Sequence, residues 1–243
     1  MGIWQKRIAS AFGFPALMLA LAACGGEPAE APVTGEIEEG ELAIPVMGEE
    51  RRIVAFGDSL FAGYGLDNER DGYPEKLEAA LRARGINARV VDAGVSGDTS
   101  AAGRDRLQFV LDAQADKPDL FILELGGNDL LRGIQVEETR ANFEAMLSTL
   151  RDAEVPVLLM GMRAPANYGP EYQAQFDEMY GQLAREYGAE LIPFWLEDIY
   201  RDPSLFQDDR IHPTAEGIER LVSSTVEEVE AALPEQEPED VAG

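Results

Sequence analysis

The sequence predicts an α/β fold: a three-layer sandwich on a five-stranded parallel sheet of flavodoxin-like type. Three observations lead there. Short apolar runs recur along residues 51–233, each closing on a Gly, a Pro or a polar turn. A stretch of helical period follows each run. No internal repeat or second domain interrupts the alternation, and helix-length links between strands imply parallel pairing through right-handed crossovers.

The elements follow in order. Arg52–Phe56 is a buried-strand run ending at Gly57. Tyr73–Arg84 has Leu77, Ala80 and Leu81 at helical spacing, and Ala88–Asp92 is the second strand. Ser100–Ala113 carries Leu107, Val110 and Leu111 on one face, and Leu120–Leu125 is the third strand. Val136–Ala153 is a helix through Phe143, Met146, Leu147 and Leu150, and Val155–Met160 is the fourth strand. Tyr172–Tyr187 is the fourth helix and Leu191–Phe194 the fifth strand. Thr214–Leu233 is the last helix, with Thr214 as its cap behind Pro213.

The ends of the chain read differently. Lys6 and Arg7 precede an uncharged run, Ile8–Ala23, that is short for a membrane span and has the flanks of an export signal. It ends in Leu21-Ala22-Ala23-Cys24-Gly25, which resembles the lipobox of bacterial lipoproteins. The resemblance implies cleavage before Cys24, lipid on its sulfur and an exported, envelope-anchored protein. Gly25 after the cysteine is similar to lipoproteins sent on to an outer membrane. An ordinary secretory signal cut after Ala23 is the alternative. Residues 24–50 hold eight acidic side chains and no Lys or Arg, and residues 234–243 hold four and none. Both segments are expected to be solvated: an acidic tether and an acidic tail on either side of a folded body at 51–233.

Composition excludes several classes. The 243 residues carry 20 basic and 46 acidic side chains, a formal charge of −26, which disfavours a nucleic-acid partner. One Cys and one His cannot build a Cys/His metal site, and no cofactor is called for.

In open parallel sheets, sites form beyond the carboxyl ends of the strands. Four polar blocks fall at such places or just before the last helix: Gly57-Asp58-Ser59-Leu60, Gly94-Val95-Ser96-Gly97-Asp98-Thr99, Gly126-Gly127-Asn128-Asp129 and Asp209-Arg210-Ile211-His212-Pro213. Together they resemble the GDSL, or SGNH, hydrolases over about residues 52–232. The runs Gly57–Gly65, Leu123–Asp129, Arg163–Gly169 and Gln207–Pro213 are similar to the lysophospholipase/arylesterase/thioesterase branch of that family. Arg210 departs from it, standing where that branch usually has Gly.

A serine hydroxyl is barely ionised at neutral pH and needs an adjacent base. His212 is the only imidazole in the chain, so a Ser–His mechanism at Ser59 must use it. A carboxylate can fix the imidazole tautomer; Asp208 and Asp209 are both near, and the family spacing selects Asp209. The resemblance further implies an oxyanion hole made by the backbone N–H groups of Ser59 and Gly97 and the side-chain amide of Asn128. Asp58 and Asp129 are read as structural, and Asp98 and Thr99 as a helix start. Arg163, Pro165, Asn167 and Tyr168 are the expected substrate loop, with Tyr64, Leu131 and Phe206 as further apolar contacts. An α/β-hydrolase is disfavoured, because Ser59 follows the first strand and lacks a Gly two residues on.

The expected activity is serine-dependent hydrolysis of small acyl esters — aryl esters, lysophospholipids or acyl thioesters — by a monomer anchored through Cys24. Two alternatives stand beside it: a carbohydrate O-acetyl esterase, and a binding protein that has kept the fold without catalysis.

Overall fold

The structure is a computed structural model that describes residues 46 and 48–235. The export signal, Cys24, nearly all of the 24–50 tether and residues 236–243 lie outside the described residues. Five strands form one parallel sheet: β1 (Arg51–Gly57), β2 (Ala88–Gly94), β3 (Leu120–Glu124), β4 (Val157–Met160) and β5 (Glu190–Ile192). Their order is β2-β1-β3-β4-β5. β1 and β3 are almost wholly buried, as expected of strands covered by helices on both faces.

Among the described residues, six α-helices accompany the sheet: α1 (Tyr73–Ala83), α2 (Ser100–Asp112), α3 (Gly127–Leu131), α4 (Val136–Asp152), α5 (Pro170–Tyr187) and α6 (Ala215–Ala232). α1 packs with α6, while α2, α4 and α5 pack side by side. Thr99 and Thr214 cap α2 and α6 by accepting from the N–H groups of Ala102 and Gly217.

The differences from expectation are local. β4 begins at Val157, since Pro156 has no N–H to give a ladder, and β5 stops at Ile192, just before Pro193. α5 starts two residues early because Pro170 fits the first helical turn. The short helix α3 is absent from the sequence reading, being too brief for a periodic signal.

The strand order reverses at β1. The chain first places β2 on one side of it, then crosses over to β3 and continues outward. Such a switch leaves a crevice at the carboxyl end of the sheet. Register decides what meets there: Gly57 pairs with Gly94, and Phe56 with Leu123. The loops after β1, β2 and β3 are thereby neighbours. Beneath the β1 loop, Phe61 stacks on Tyr73 at 5.3 Å, and Trp195 meets both rings edge-on. All three side chains are fully buried, so the loop sits on a packed aromatic base.

Candidate active site

Ser59 lies at the first turn after β1, with the Tyr64 N–H donating back to its carbonyl at 3.1 Å. His212 arrives from the far end of the chain, in the loop that enters α6. That loop is folded back on itself: the Gln207 N–H donates to the His212 carbonyl at 2.8 Å, and Thr214 N–H to the Leu205 carbonyl at 2.9 Å. Gln207 then ties it to the serine loop, its Nε2 donating to the carbonyls of Tyr64 (2.7 Å) and Pro213 (2.9 Å).

This brings three expected residues into line. His212 Nδ1 lies 2.5 Å from Asp209 Oδ2, and Nε2 lies 2.8 Å from Ser59 Oγ. With Nδ1 donating to the carboxylate, Nε2 is left to accept the serine proton. The other carboxylate oxygen, Oδ1, accepts from the N–H groups of Ile211 (2.9 Å) and His212 (3.0 Å). Burial alone would raise the Asp209 pKa. The bond to His212 and the two backbone donors outweigh it, bringing the carboxyl down to about 2. Tyr64 packs its ring on the imidazole, with centroids 4.5 Å apart. Asp208 makes no ion pair among the described residues.

Gly97 and Asn128 line the same cavity as Ser59. Gly97 has φ +86°, a left-handed conformation that disfavours any other residue although there is room for a Cβ. Its carbonyl accepts from Arg132 Nη2 at 2.8 Å. Asn128 stands on α3, directly beyond the buried end of β3. Its Nδ2 donates to Asp58 Oδ2 at 2.9 Å. An amide nitrogen carries two hydrogens, so one is committed to Asp58 and the second is free for another acceptor.

Two buried carboxyl groups support these loops. Asp58 Oδ1 accepts from the Leu60 N–H at 3.0 Å, and the Asp58 N–H donates to Glu124 Oε2 at 3.2 Å. Glu124 is fully buried, and its Oε1 has no partner. Burial, reinforced by the neighbouring Asp58, pushes Glu124 well above the usual carboxylate range. Asp58 is raised too, by burial, against the pull of its hydrogen bonds from Leu60 and Asn128. Gly57 separates the two groups; a Cβ there would come within 2.7 Å of Glu124 Oε2.

Asp129 accepts from the Ser100 N–H at 2.7 Å and from the hydroxyls of Ser100 and Thr139, joining α3 to α2 and α4. Arg106 joins the first two loops, donating to Asp98 Oδ2 (2.6 Å) and the Gly57 carbonyl (2.9 Å) over the Phe56 ring. Neither Arg106, Glu124 nor Gln207 had been singled out. A charged residue inside the otherwise apolar run Leu120–Leu125 was the available signal for Glu124. Arg106 and Gln207 had none, because their partners are backbone atoms or side chains set by the fold.

The cavity has a volume of about 580 Å³. Its walls are mainly apolar, formed by Leu60, Leu130, Met162, Phe194 and Leu196 among others. Arg163 and Pro165 line it, as do Tyr64, Leu131 and Phe206. Asn167 and Tyr168 are not among its lining residues. They sit on a short 3-10 turn, where Tyr168 packs against Tyr172 on the side facing α5. The expected substrate loop is therefore divided: Arg163 and Pro165 line the cavity, Asn167 is exposed outside its lining, and Tyr168 packs against Tyr172.

Comparison with known proteins identifies the family. The model of the GDSL-like lipase/acylhydrolase family matches residues 55–220. Esterase TesA of Pseudomonas aeruginosa is 37 % identical over 188 residues, covering 76 % of this chain and 92 % of that protein. The arylesterase of Vibrio mimicus is 37 % identical over 165 residues, covering 68 % and 81 %. Among solved structures, the SGNH-hydrolase family esterase AlinE4 is 58 % identical with a TM-score of 0.66, covering 78 % of this chain and all of that one. By sequence match and shared fold, the chain is a member of the GDSL-like lipase/acylhydrolase family.

Proposed function

We propose that the protein hydrolyses carboxylic esters through an acyl-enzyme formed on Ser59. The observation that carries this reading is the unbroken chain from Asp209 Oδ2 through His212 to Ser59 Oγ, opening into an apolar cavity. His212 Nε2 takes the hydroxyl proton as Oγ forms a bond to the acyl carbon. Asp209, held ionised, stabilises the resulting imidazolium. The carbonyl oxygen becomes an oxyanion that accepts from the N–H groups of Ser59 and Gly97 and the second Asn128 hydrogen. His212 then gives its proton to the departing alcohol or thiol as the carbon–oxygen or carbon–sulfur bond breaks. Water repeats the sequence, with His212 as base, and releases the acid and free Ser59.

The cavity favours an acyl chain over an acetylated sugar. Walls of Leu, Met and Phe desolvate methylene groups well but offer few partners to sugar hydroxyls. The substrates supported are aryl esters, lysophospholipids or acyl thioesters, in keeping with relatives called esterase, arylesterase and thioesterase 1/protease 1/lysophospholipase L1. The Leu21–Gly25 run supports export and lipid attachment at Cys24. Palmitate labelling that disappears in Cys24→Ser is the expected outcome; equal labelling of both proteins rejects it.

A fluorophosphonate probe tests the catalytic reading. The wild-type protein is expected to be labelled and Ser59→Ala to be blank. An unlabelled wild type that also leaves para-nitrophenyl esters intact would return the chain to the binding-protein alternative.

A further inference from the structure

We infer that Arg210 selects substrates whose alcohol half carries a negative charge, a phosphate or a carboxylate; this rests on the ester-hydrolase reading above.

Two non-glycine residues in the described chain have left-handed φ, Glu154 at 55° and Arg210 at 61°. Glu154 follows the C-terminus of α4, a place where chains commonly take that conformation. Arg210 instead forms the turn that aims the N–H groups of Ile211 and His212 at Asp209. The turn demands a left-handed residue, and Gly or Asn would occupy it with less strain than Arg. Arg210 therefore works against the turn, and what it adds is its side chain.

Arg210 is among the residues lining the cavity. It makes no ion pair and no side-chain hydrogen bond among the described residues. The other cation on the cavity wall, Arg163, is committed: it pairs with Glu197 at 2.8 Å and lies over the Phe194 ring. Of the neighbouring acids, Asp209 is held by His212, and Asp208 is exposed without an ion pair. Arg210 is thus the unpaired one of the two arginines on the cavity wall, in a protein with formal charge −26.

Its position also fixes which half of the substrate it meets. His212 must reach the leaving oxygen or sulfur to protonate it, so the alcohol half lies against the loop that bears His212. Arg210 is two residues away on that loop. A guanidinium there can bind a carboxylate or phosphate by charge-assisted hydrogen bonds. The acyl chain is left to the apolar walls.

The test measures kcat/KM on the full chain for two matched pairs. The first is para-nitrophenyl butyrate against its ring-carboxylated analogue. The second is a monoacylglycerol against the corresponding monoacylglycerol phosphate, both below their micelle-forming concentrations. The first pair reads charge on a small soluble ester and the second reads a lipid headgroup. Arg210→Asn keeps a residue that tolerates the left-handed turn, so the loop survives. It is expected to lower the anionic-to-neutral ratio about fivefold to tenfold, between an exposed ion pair and a charge-assisted hydrogen bond. Arg210→Lys is expected to recover most of the ratio. About 1 M salt, with a screening length near 3 Å, is expected to bring the wild type close to Arg210→Asn.

A loss in only one pair keeps the proposal and names the source of the anion. Unchanged ratios in both pairs, with all proteins active, overturn it. So does a fall that Lys does not recover and salt does not mimic, which would mean the side chain acts by shape. A wild type that cleaves none of the four esters overturns the hydrolase reading, and this proposal with it.

Discussion

Replacing Asn128 by Ala separates two jobs that one side chain performs. One Nδ2 hydrogen is given to Asp58 Oδ2 at 2.9 Å, and the other is the proposed oxyanion donor. Losing a preorganised oxyanion donor costs about 10²–10³ in kcat, or roughly 2.7–4 kcal/mol of transition-state stabilisation. The loss should fall on kcat and spare KM, because the oxygen carries its charge only in the transition state. The structural cost is separate. Asp58 is 2 % exposed, and an acceptor left unpaired at such a site costs about 1–3 kcal/mol. For a domain of this size that corresponds to a fall in Tm of about 2–12 °C. Steady-state kinetics on para-nitrophenyl butyrate and thermal unfolding by circular dichroism measure the two effects on one sample. The reasoning is refuted if Tm falls as expected while kcat stays within about tenfold of wild type. Asn128 would then be a brace for Asp58 and nothing more.

Three further outcomes are expected. Glu124→Gln should flatten the dependence of Tm on pH. The raised pKa means the folded protein holds more protons than the unfolded chain, so Glu124 supports the fold below the unfolded value of about 4.3 and loses that support as pH rises through the folded value. Equal slopes for both proteins above about pH 5 would contradict this. Asp209→Asn should lower kcat on the order of 10⁴, by upsetting the His212 tautomer. Because Asp209 is held at about 2, its own protonation should play no part in the loss of kcat/KM above about pH 4, and the acid limb there should survive in Asp209→Asn; its disappearance would show Asp209 at work. Gln207→Glu should damage activity more than Gln207→Ala, since a carboxylate would face the Tyr64 and Pro213 carbonyls that the amide now joins. Kinetics in the reverse order would mean that the bridge does not hold the histidine loop.

Much of the fold was legible because strand and helix declare themselves by period. The run Arg52–Phe56 and the Leu77-Ala80-Leu81 spacing need no partner to be recognised, and both lie inside observed elements. The starts of β4 and α5 and the end of β5 shifted at Pro156, Pro170 and Pro193, where the backbone's hydrogen-bonding capacity decides. The five-residue helix carrying Asn128 is held from outside, by Asp129 reaching Ser100 and Thr139, so no local pattern announces it.

The chain alone determined which chemistries were open to it. A solitary imidazole and a Ser after the first strand leave one base for a hydroxyl nucleophile, and the resemblance to the GDSL hydrolases makes Gly97 and Asn128 the expected donors. Tertiary structure decided whether those groups meet. Ser59 and His212 are 153 residues apart, and only the pairing of β1 with β2 and β3, the packing of α1 on α6 and the Gln207 bridge set their 2.8 Å contact. It also divided the loop after β4, turning Pro165 to the cavity and Tyr168 toward Tyr172. The physical reason is range: propensity and period act over a few residues, whereas a catalytic hydrogen bond requires distant segments to be held to within fractions of an ångström by the whole core.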